Sequence, residues 1–447
     1  MRRLLKGSAV AASALILLLS LTGWAASEHY LSALRHVDVF GGLGSSGISN
    51  GEPVNILVVG SDDRSGLSEA ERSRLRTGHL DYGRHTDTML LVHLGTDLDN
   101  VSVVSIPRDS LVTIPAHTDD QGQNVAKHEG KINSAFATGG PAVTVATVAQ
   151  ATGLEIDHYV EVNFKGFLDM VNAVNGVPVC LSEPLQDLNS GLDLPAGRQT
   201  IRGKQALAYV RARYIDNDFG RAKRQQRFLT GMAQKVTAKG TLLNPITMNN
   251  FVDAALNSVT TDERMDRESV AMLAARLADL SLEQIQFTTV PVSDGSHMHE
   301  GESTVLWDSD AATQLFDALR EDQAIPEAPK AVTVEVPPGD IDVAVEGSQS
   351  AASAVEAAGY QVLSSTGTVA AETVVRYDPV WQRSLATMQA AFPQARFEEA
   401  PGIGGTFQVA LGADFQAPKA VRSAATSVES EVTKANKDLC ADGAAGS

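Results

Sequence analysis

Short apolar runs rich in β-branched residues alternate with helix-forming segments over residues 55–280, and this alternation limits the possible folds most strongly. Buried strands are predicted at 55–59, 88–94, 101–106 and 159–162. Helices with one buried face are predicted where apolar residues recur every three and four positions, at 141–151, 164–174, 221–238 and 268–280. Strands alternating with helices indicate an α/β sandwich. The polar segment 67–82 has neither period, so we expect a mobile surface loop there.

A first domain over 53–324 and a second over 331–416 are predicted. Pro326 and Pro329 follow a helical pattern at 311–320 and prevent its continuation, which makes 325–330 a linker. Beyond this linker the patterns indicate a small α+β domain, with strands at 332–336, 361–365 and 373–377 and helices at 351–358 and 382–391. Residues 417–447 are rich in small and charged residues, and we expect a flexible tail unless Cys440 holds it.

The N-terminus carries a membrane-targeting signal. Arg2, Arg3 and Lys6 precede an uncharged apolar run at 9–26, and ~18 such residues span a bilayer marginally. The positive-inside rule predicts a cytoplasmic N-terminus and a transmembrane signal anchor within residues 1–30, followed by a Gly- and Ser-rich linker at 31–52. The alternative is a signal peptide cleaved near Ala26. Both interpretations export the rest of the chain, and the anchor predicts a single-pass protein of the cell membrane whose folded domains are extracytoplasmic.

The net charge of −18 argues against a nucleic-acid partner, because proteins that bind nucleic acids gain most of their affinity from a basic surface. One segment reverses this acidity. Residues 202–227 contain eight Lys or Arg residues, opposed only by Asp216 and Asp218. We therefore expect this segment to face a smaller anion.

Acidic residues lie where two of the predicted strands end or begin. Asp62 follows the first strand directly, and Asp87 opens the next. Because α/β sheets build their sites at strand ends, the two carboxylates are candidates for a hard cation, Mg²⁺ or Mn²⁺. The alternative for either aspartate is an ordinary turn or cap residue.

Arg108 follows the third strand and is expected to point to the same edge. Pro107 ends the strand pairing just before it. The alternative is a surface ion pair between Arg108 and Asp109, which would contribute little energy. Arg108 is thus a candidate for contact with an anion at the strand ends.

The basic segment also places arginines on common faces. If 209–213 is extended, Arg211 and Arg213 point the same way. In the helical pattern that follows, Arg221, Arg224 and Gln225 fall on one stripe. A solvated helix face is the alternative, but cations at this spacing repel each other unless an anion relieves them. Guanidinium groups fork onto phosphate oxygens, so a diphosphate suits the segment.

Other chemistries lack their motifs in this sequence. It has no Gly-rich phosphate loop of the Walker or dinucleotide type, no His or Cys cluster with zinc-ligand spacing, and no G-x-S-x-G elbow for a Ser-His-Asp hydrolase. Its two cysteines, Cys180 and Cys440, are exported in either interpretation of the N-terminus. One disulfide and two unrelated thiols both remain open.

Seven motifs over residues 55–230 resemble, in order, those of the LytR-CpsA-Psr family. They are Asn55-Ile-Leu-Val-Val-Gly60-Ser-Asp62-Asp-Arg64, Thr86-Asp87-Thr88-Met89, Ser105-Ile-Pro-Arg108-Asp109, Lys131-Ile-Asn133-Ser-Ala-Phe136, Gly203-Lys-Gln-Ala206-Leu, Val210-Arg211-Ala-Arg213 and Asp218-Phe-Gly-Arg221-Ala-Lys-Arg224-Gln225-Gln226. Residues 331–416 resemble the LytR C-terminal domain, although Val336-Pro-Pro-Gly replaces its Asn-Gly turn. The spacing from Cys180 to a late cysteine resembles actinobacterial members, which favours the disulfide.

The resemblance implies an α/β/α sandwich with a central mixed β-sheet and an apolar pocket for a polyprenyl chain. By position, Asp62 and Asp87 match the family's Mg²⁺-associated carboxylates. The residues that match those holding the pyrophosphate are Arg64, Arg108, Arg211, Arg213, Arg221 and Gln225. The catalytic candidates among all of these are Asp62, Asp87, Arg108 and Arg211. Arg84 lies three residues before Asp87, where the family places an arginine two before, and it is not assigned.

The implied activity is phosphoryl transfer, which moves a glycopolymer from polyprenyl pyrophosphate to the peptidoglycan acceptor. A muramic acid hydroxyl would attack the sugar-linked phosphorus, and Asp62 or Asp87 would accept its proton. The side chains expected to line the lipid pocket, unless they are plain core, are Phe164, Phe167, Leu168, Phe228 and Leu229.

Two other functions use the same residues. A polyprenyl-pyrophosphate hydrolase would use water as the nucleophile, whereas a non-catalytic regulator or binder of cell-wall lipid intermediates would tolerate loss of Asp62. For a transferase, arabinogalactan, teichoic acid and a capsular glycan all fit the residues as the polymer. The Ala- and Val-rich composition favours an actinobacterial source, and hence arabinogalactan.

Overall fold

The computed structural model describes residues 35–41, 52–64, 66–77, 86–96, 100–119, 121–212, 218–238, 245–278, 280–326, 332–367, 370–419, 421–423 and 432–440. The predicted anchor at 1–30, most of the linker at 31–52, Arg84 and Arg213 lie outside these residues. Two compact units divide the rest. Unit 1 comprises the described residues within Met1–Val290, Ala312–Pro326 and Glu431–Ser447, and unit 2 those within Pro291–Ala311 and Glu327–Ser430.

The strands of unit 1 are β1 (Arg35–Val37), β2 (Val54–Ser61), β3 (Thr86–Leu94), β4 (Val101–Ile106), β5 (Leu111–Ile114), β6 (His117–Thr118), β7 (Asn124–Val125), β8 (His128–Lys131), β9 (His158–Val162), β10 (Val177–Leu181), β11 (Leu185–Asp187), β12 (Leu192–Leu194), β13 (Gly197–Ile201), β14 (Val259–Asp262), β15 (Ile285–Thr289) and, at the end of the chain, β25 (Thr433–Lys434). The strands of unit 2 are β16 (Val292–His299), β17 (Glu302–Trp307), β18 (Val332–Val334), β19 (Asp342–Glu346), β20 (Gln361–Thr366), β21 (Val374–Tyr377), β22 (Arg396–Glu399), β23 (Phe407–Ala410) and β24 (Val421–Ser423).

The described helices are α1 (Glu69–Leu75), α2 (Ile132–Thr152), α3 (Phe164–Ala173), α4 (Gly203–Arg211), α5 (Asp218–Thr237), α6 (Pro245–Ser258), α7 (Arg267–Ala278), α8 (Ser309–Arg320), α9 (Gln349–Ala357) and α10 (Gln382–Ala391). Short 3₁₀ turns occupy Pro338–Asp340 and Pro379–Trp381. The helices predicted at 164–174 and 382–391 agree with α3 and α10 to within one residue, because their apolar periodicity is strong.

The central sheet of unit 1 is mixed, with strand order β1-β14-β9-β2-β3-β4-β15-β25. The chain pairs β2 antiparallel to β3 and parallel to β9, and β4 parallel to β15. Alternate residues of β2 point to opposite faces. Ile56 packs in one apolar cluster with α7, and Leu57 is fully buried, so both faces of the sheet are covered.

A side layer next to the central sheet is closed by a disulfide bond. The hairpin of β10 and β13 and that of β11 and β12 pack with α3, α4 and α5 around Val177, Tyr209 and Phe228. Cys180 of β10 is bonded to Cys440, with 5.1 Å between their Cα atoms. This bond attaches the end of the chain to the side layer.

Unit 2 contains a second mixed sheet, with strand order β20-β19-β23-β21-β22. Its core brings together Val343, Val355, Met388, Phe392 and Phe407 from strands and helices. The α/β fold class, with a large mixed sheet and a small α+β unit, is thereby confirmed. The sequence patterns missed β19, the strand between β20 and β23, because its run Asp342-Val-Ala-Val-Glu346 is short and bounded by acids.

The mobile loop predicted at 67–82 is wrong in its first half, where α1 forms. Ser68 and Glu71 make a capping box, in which the Ser68 hydroxyl accepts from Glu71 N and the Glu71 carboxylate accepts from Ser68 N. Leu75 buries itself in a cluster with Leu67 and Phe164. The capping box, S-x-x-E, is a helix-start signal that outweighs the weak periodicity of this short segment.

The extended conformation considered for 209–213 is also wrong as far as the described residues reach. Gly203–Arg211 is helical, and Arg213 lies outside the description. Ala206, Leu207 and Tyr209 are buried on this helix. The Ala- and Leu-rich sequence favours a helix, and burial of its apolar face stabilises it.

The tail predicted to be flexible at 417–447 is packed over 432–440. Thr433–Lys434 pairs with β15, Ala435 is fully buried, and Cys440 lies in the disulfide. The sequence analysis allowed for an ordered tail if Cys440 held it, and the structure shows that arrangement. Among the described helices, none has both the length and the apolarity needed to cross a membrane.

Candidate functional site

A pocket opens in unit 1 beside the end of β2 and the start of β3. Its empty space is about 880 Å³, counted out to and including the solvent at its open mouth. Strands β2, β3 and β9 and helices α3, α4 and α5 supply its walls. The lining residues are Val58, Gly60, Ser61, Asp87, Thr88, Leu90, Val162, Asn163, Phe164, Phe167, Met170, Leu207, Val210, Arg211, Arg221, Gln225, Phe228 and Leu229. Most of them are apolar, and three are charged.

A β-bulge turns Asp87 toward this pocket. Gly60 pairs with Thr88 and Ser61 pairs with Thr86, so Asp87 is the extra residue of β3. In a regular strand Asp87 and Thr88 would point to opposite faces, yet both line the pocket. The bulge thereby adds a carboxylate to an otherwise uncharged strand face, a common use of bulges near active sites.

Arg108, which follows β4, bonds one aspartate at the start of β3 and its own neighbour Asp109. Its Nη1 donates to Asp87 Oδ1 at 3.0 Å, and its Nε donates to Asp109 Oδ2 at 3.1 Å. Lys131 Nζ lies 3.8 Å from Asp109 Oδ1. The structure therefore brings Arg108 and Asp87 together at one edge of the sheet. Arg108 also forms the ion pair with Asp109 that was considered as the alternative. The side chains are 16–28% exposed, so their attraction is screened less than that of a surface pair.

Asp62 and Arg64 lie directly beyond β2. Arg64 Nη2 donates to Asp62 Oδ2 at 3.2 Å, and the two side chains are 12% and 11% exposed. Ser61, the residue before Asp62, pairs with Thr86, the residue before Asp87. The structure thus places Asp62 and Arg64 next to the pocket wall, whereas Asp87 is part of it.

Arg211 ends α4 at the pocket. Its guanidinium carbon lies 4.8 Å from the centre of the Phe164 ring, a distance at which the ring face attracts a cation. The carboxyl end of a helix also favours a cation. Phe164 and α4 therefore hold the charge of Arg211 at the wall of an apolar cavity.

Helix α5 supplies Arg221, Gln225 and Phe228 to the same pocket, at the predicted spacing of four and three residues. Gln225 Nε2 donates to Thr88 Oγ1 at 3.0 Å and to Val210 O at 3.1 Å. Arg221 is 4% exposed. These bonds tie the helix to β3 and α4, which fixes the position of Arg221 one turn away.

Arg224 was expected on the same stripe but is oriented differently. It is buried and donates to the carbonyl oxygen of Ala212, so it holds the end of α4 and is not part of the pocket wall. Arg213 falls outside the described residues, and its predicted role stays a prediction.

The predicted lipid-lining residues are mostly in the pocket. Phe164, Phe167, Phe228 and Leu229 line it, with the rings of Phe167 and Phe228 5.2 Å apart. Leu168 instead packs against the cluster of Leu67, Leu75 and Leu207. The apolar residues that open α3 thus divide between the pocket and the core.

Sequence reasoning missed three uncharged polar residues of the wall, Ser61, Thr88 and Asn163. Ser61 is 3% exposed, and its hydroxyl has no hydrogen-bond partner among the described residues. The sequence feature that could have identified these residues is their position at the ends of predicted strands. The bulge that places Thr88 and Asp87 on the same face leaves no mark in a single sequence.

The carboxylates fit a hard cation. Among the described residues, no group of three or more His, Cys, Asp or Glu side chains is placed to hold a metal ion. Mg²⁺, however, usually takes one or two carboxylates, with phosphate and water oxygens completing its shell. Asp62 and Asp87 offer such oxygens beside the pocket, although each is bonded to an arginine. The donor set is therefore compatible with Mg²⁺.

The comparisons with known proteins agree with this architecture. The LytR_cpsA_psr family matches residues 21–321, more than half of the chain. The chain belongs to this family. The match ends at residue 321. The resemblance of 331–416 to the LytR C-terminal domain therefore stays a prediction.

Individual relatives include cell-wall enzymes. The chain is 36% identical over 313 residues to the probable cell wall biosynthesis protein LcpB of Corynebacterium glutamicum, covering 70% of each protein. It is 30% identical over 275 residues to a polyisoprenyl-teichoic acid–peptidoglycan teichoic acid transferase, TagU of Enterococcus faecalis, covering 61% of this chain and 80% of that protein. These relationships make the chain an enzyme, a transferase with a role in cell wall biogenesis.

A solved structure shares the fold. The protein gbs0355 of Streptococcus agalactiae matches with a TM-score of 0.52 at 23% identity, and the match covers 64% of this chain and 94% of that one. Likeness at this level of identity supports the fold and not a function.

Proposed function

We propose that this enzyme transfers a glycopolymer from a polyprenyl pyrophosphate carrier to peptidoglycan by phosphoryl transfer. One observation carries the proposal: an apolar cavity whose charged lining residues are Arg211, Arg221 and Asp87. A polyprenyl tail requires the apolar interior, and a diphosphate requires the guanidinium groups. Few other ligands combine a long hydrocarbon with two phosphates.

The reaction needs an acceptor hydroxyl and a leaving group. A muramic acid hydroxyl of peptidoglycan attacks the phosphorus that carries the sugar, a new P–O bond forms, and the bond to the bridging oxygen breaks. Polyprenyl phosphate leaves with that oxygen. Asp87, on the pocket wall, takes the hydroxyl proton. Arg108, bonded to Asp87 at 3.0 Å, orients this carboxylate before the transfer.

Charge neutralisation supplies most of the rate in phosphoryl transfer. Arg211 and Arg221 face the diphosphate from the helix side of the pocket, and Arg64 and Arg108 lie on the strand side. Asp62 and Asp87 would hold Mg²⁺, which when bound would withdraw charge from the phosphate oxygens. The residues on both sides would thereby stabilise the charge that develops on the leaving phosphate.

The cellular setting is part of the proposal. The apolar run at 9–26 supports a membrane anchor with the site outside the cytoplasm. The LcpB relative from an actinobacterium and the Ala- and Val-rich composition favour arabinogalactan as the polymer, and the teichoic acid transferase relative supports a teichoic-acid-like alternative.

The test uses the purified full-length protein with a polyprenyl-pyrophosphate oligosaccharide, with and without peptidoglycan. We expect phosphate-linked oligosaccharide on peptidoglycan and release of polyprenyl phosphate. Arg211→Ala should lower the transfer rate by roughly 10²–10³-fold, as loss of one stabilising donor does elsewhere. Arg383→Ala is the matched control, because Arg383 pairs with Glu335 in unit 2.

Three outcomes distinguish the alternatives. Release of polyprenyl phosphate that is equal with and without peptidoglycan, and no linked product, would identify a hydrolase. No turnover by the wild type but tight binding of the lipid would identify a binder. An Arg211→Ala rate equal to that of the Arg383→Ala control would remove the pocket from the mechanism.

A further inference from the structure

An exposed leucine lies among basic side chains on the surface of unit 1. Leu188, in the turn between β11 and β12, is 87% exposed. Arg76 ends α1 and Lys204 opens α4. We call Leu188, Arg76 and Lys204 the Leu188 surface. The proposed function assigns no role to it.

The turn that presents Leu188 is fixed. Asp187, itself 4% exposed, accepts from Asn189 N at 2.9 Å through its carboxylate, and from Gly191 N at 2.9 Å through its carbonyl oxygen. Gly191 has a φ of +74°, which a residue with a side chain rarely adopts. Because the turn is held in place, Leu188 could enter an apolar phase without a rearrangement of the backbone, and that burial would be favourable.

The two cations are held beside this tip. Arg76 donates to the carbonyl oxygen of Leu188. A side-chain carbon added to Gly191 would lie 3.2 Å from Arg76 Cδ and 3.2 Å from Lys204 Cε. The stems of Arg76 and Lys204 therefore pass close to Gly191, three residues after Leu188, and Arg76 also contacts Leu188 itself.

The Leu188 surface is connected to the wall of the pocket. Leu75, the residue before Arg76, packs in one cluster with Phe164 and Leu207. Phe164 and Leu207 line the pocket, and Leu207 lies one helical turn after Lys204 on α4. The elements that carry the two cations thus also support the cavity in which the lipid tail is proposed to lie.

We infer that the Leu188 surface contacts an anionic lipid membrane, with Leu188 among the headgroups and Arg76 and Lys204 at lipid phosphates. A chain of net charge −18 is repelled by an anionic surface unless cations face it locally. An apolar side chain flanked by cations is the combination that binds such interfaces. The inference rests on the proposed function in one respect: a polyprenyl carrier has to enter the pocket from a bilayer.

Lipid quenching tests this contact without requiring turnover. A fluorophore is attached to Leu188→Cys in the full-length protein, reconstituted into vesicles of phosphatidylglycerol and phosphatidylcholine that contain a spin-labelled lipid. Only the added cysteine reacts, because the chain's two cysteines form a disulfide. The control is Glu155→Cys, at an exposed position next to the start of β2, the end of that strand away from the pocket.

We expect strong quenching at position 188 and little at position 155. Adding Lys204→Gln to the labelled protein should lower the ratio of docked to undocked molecules about fivefold, the effect of one cation near an anionic surface. Vesicles of phosphatidylcholine alone should give the same loss or a larger one. Position 204 makes no contact with the pocket, so Lys204→Gln should leave transfer from a detergent-solubilised donor unchanged.

Several results would overturn the inference: no quenching at 188, equal quenching at 188 and 155, or quenching at 188 that is equally strong in phosphatidylcholine. Protection of the label at 188 by an added protein, without quenching by lipid, would indicate a protein partner and equally reject the membrane. Failure of the transfer assay would affect the proposed function and leave this measurement intact.

Discussion

The two central sheets share a local irregularity but present it to different surroundings. In unit 1 the extra residue is Asp87, which the bulge turns into a pocket beside Arg108. In unit 2 Val343 pairs with Val362 and Ala344 with Ser364, so the extra residue is Leu363, which is 59% exposed. A β-bulge can therefore contribute to a site only where its extra residue faces a cavity and an oppositely charged side chain.

The arginines at the strand ends of unit 1 differ in the same way from two arginines of unit 2. In unit 2, Arg376 pairs with Glu398 and Arg383 with Glu335, with side chains 34–73% exposed. The ion pairs at the strand ends of unit 1 are 11–28% exposed. Charges that are partly removed from water interact more strongly with each other and with a bound anion. Unit 1 therefore holds the candidate site, and unit 2 supplies matched positions for controls.

Loss of the disulfide should give the largest effect and should separate the two units. Cys180→Ser opens a bond between residues 260 positions apart, and removal of a native disulfide costs about 2–5 kcal/mol. We expect the unfolding of unit 1 to shift to lower denaturant concentration while that of unit 2, which has no cysteine, stays in place. Wild-type protein with a reductant should match the variant. An equal shift of both transitions would mean that the bond stabilises the chain as a whole.

Exchange of single carboxylates tests the bulge. Asp87→Asn should lower the kcat of transfer about 10²-fold, the contribution of a positioned proton acceptor. Asp109→Asn is the matched control, because Asp109 also bonds Arg108 but is not among the pocket-lining residues. We expect it to lower kcat less than tenfold. Steady-state rates for both variants, with thermal unfolding to verify folding, decide the comparison. Equal losses would mean that only the orientation of Arg108 matters.

The elements around the pocket were largely predictable because burial leaves a periodic trace. The pattern at 101–106 is β4 itself, and that at 164–174 differs from α3 by one residue. Most of the charged candidates at the pocket were also predictable, since a strand end or a helix stripe fixes the direction of a side chain before the fold is known.

Tertiary detail was not predictable from the same patterns. Arg221 and Arg224 are three residues apart on one helix, but Arg224 bonds Ala212 O because α4 ends beside it. The bulge at Asp87 depends on the register of β2 against β3, which periodicity does not specify. The sequence left the disulfide as one of two alternatives, because the distance between the two Cα atoms is set only by the fold.

Two neighbouring phenylalanines allow a smaller test within the pocket. Phe164 lies under the Arg211 guanidinium, whereas Phe167 packs on Phe228. Phe164→Leu should lower kcat about three- to tenfold through loss of the cation–ring attraction. Phe167→Leu should mainly raise the KM for the lipid donor. The split between kcat and KM is the measurement, and the same split for both variants would show that Phe164 acts only as a pocket wall.

Among the aspartates with a shifted pKa, Asp157 of unit 1 and Asp414 of unit 2 have shifts of opposite sign. In unit 1, burial raises the pKa of Asp157 above its ordinary value of 3.8. In unit 2, the hydrogen bond from the Thr373 hydroxyl lowers the pKa of Asp414 below 3.8. Ionised Asp157 therefore destabilises the fold as pH rises above 3.8, whereas ionised Asp414 stabilises it above 3.8, and that contribution is lost as pH falls through its lowered pKa.

The smallest effect is expected from removing these charges. Asp414 accepts from Thr373 N at 2.7 Å and from Thr373 Oγ1 at 2.9 Å, and Asp414→Asn keeps an acceptor there but loses the charge. Unit 2 should become slightly less stable at neutral pH, and the difference from wild type should vanish as the pH falls through the lowered pKa of Asp414. Asp157→Asn should do the reverse in unit 1, with a gain in stability that grows above pH 3.8. Denaturant midpoints from acidic to neutral pH measure both, and a gain for Asp414→Asn at neutral pH would contradict the stabilising role of its charge.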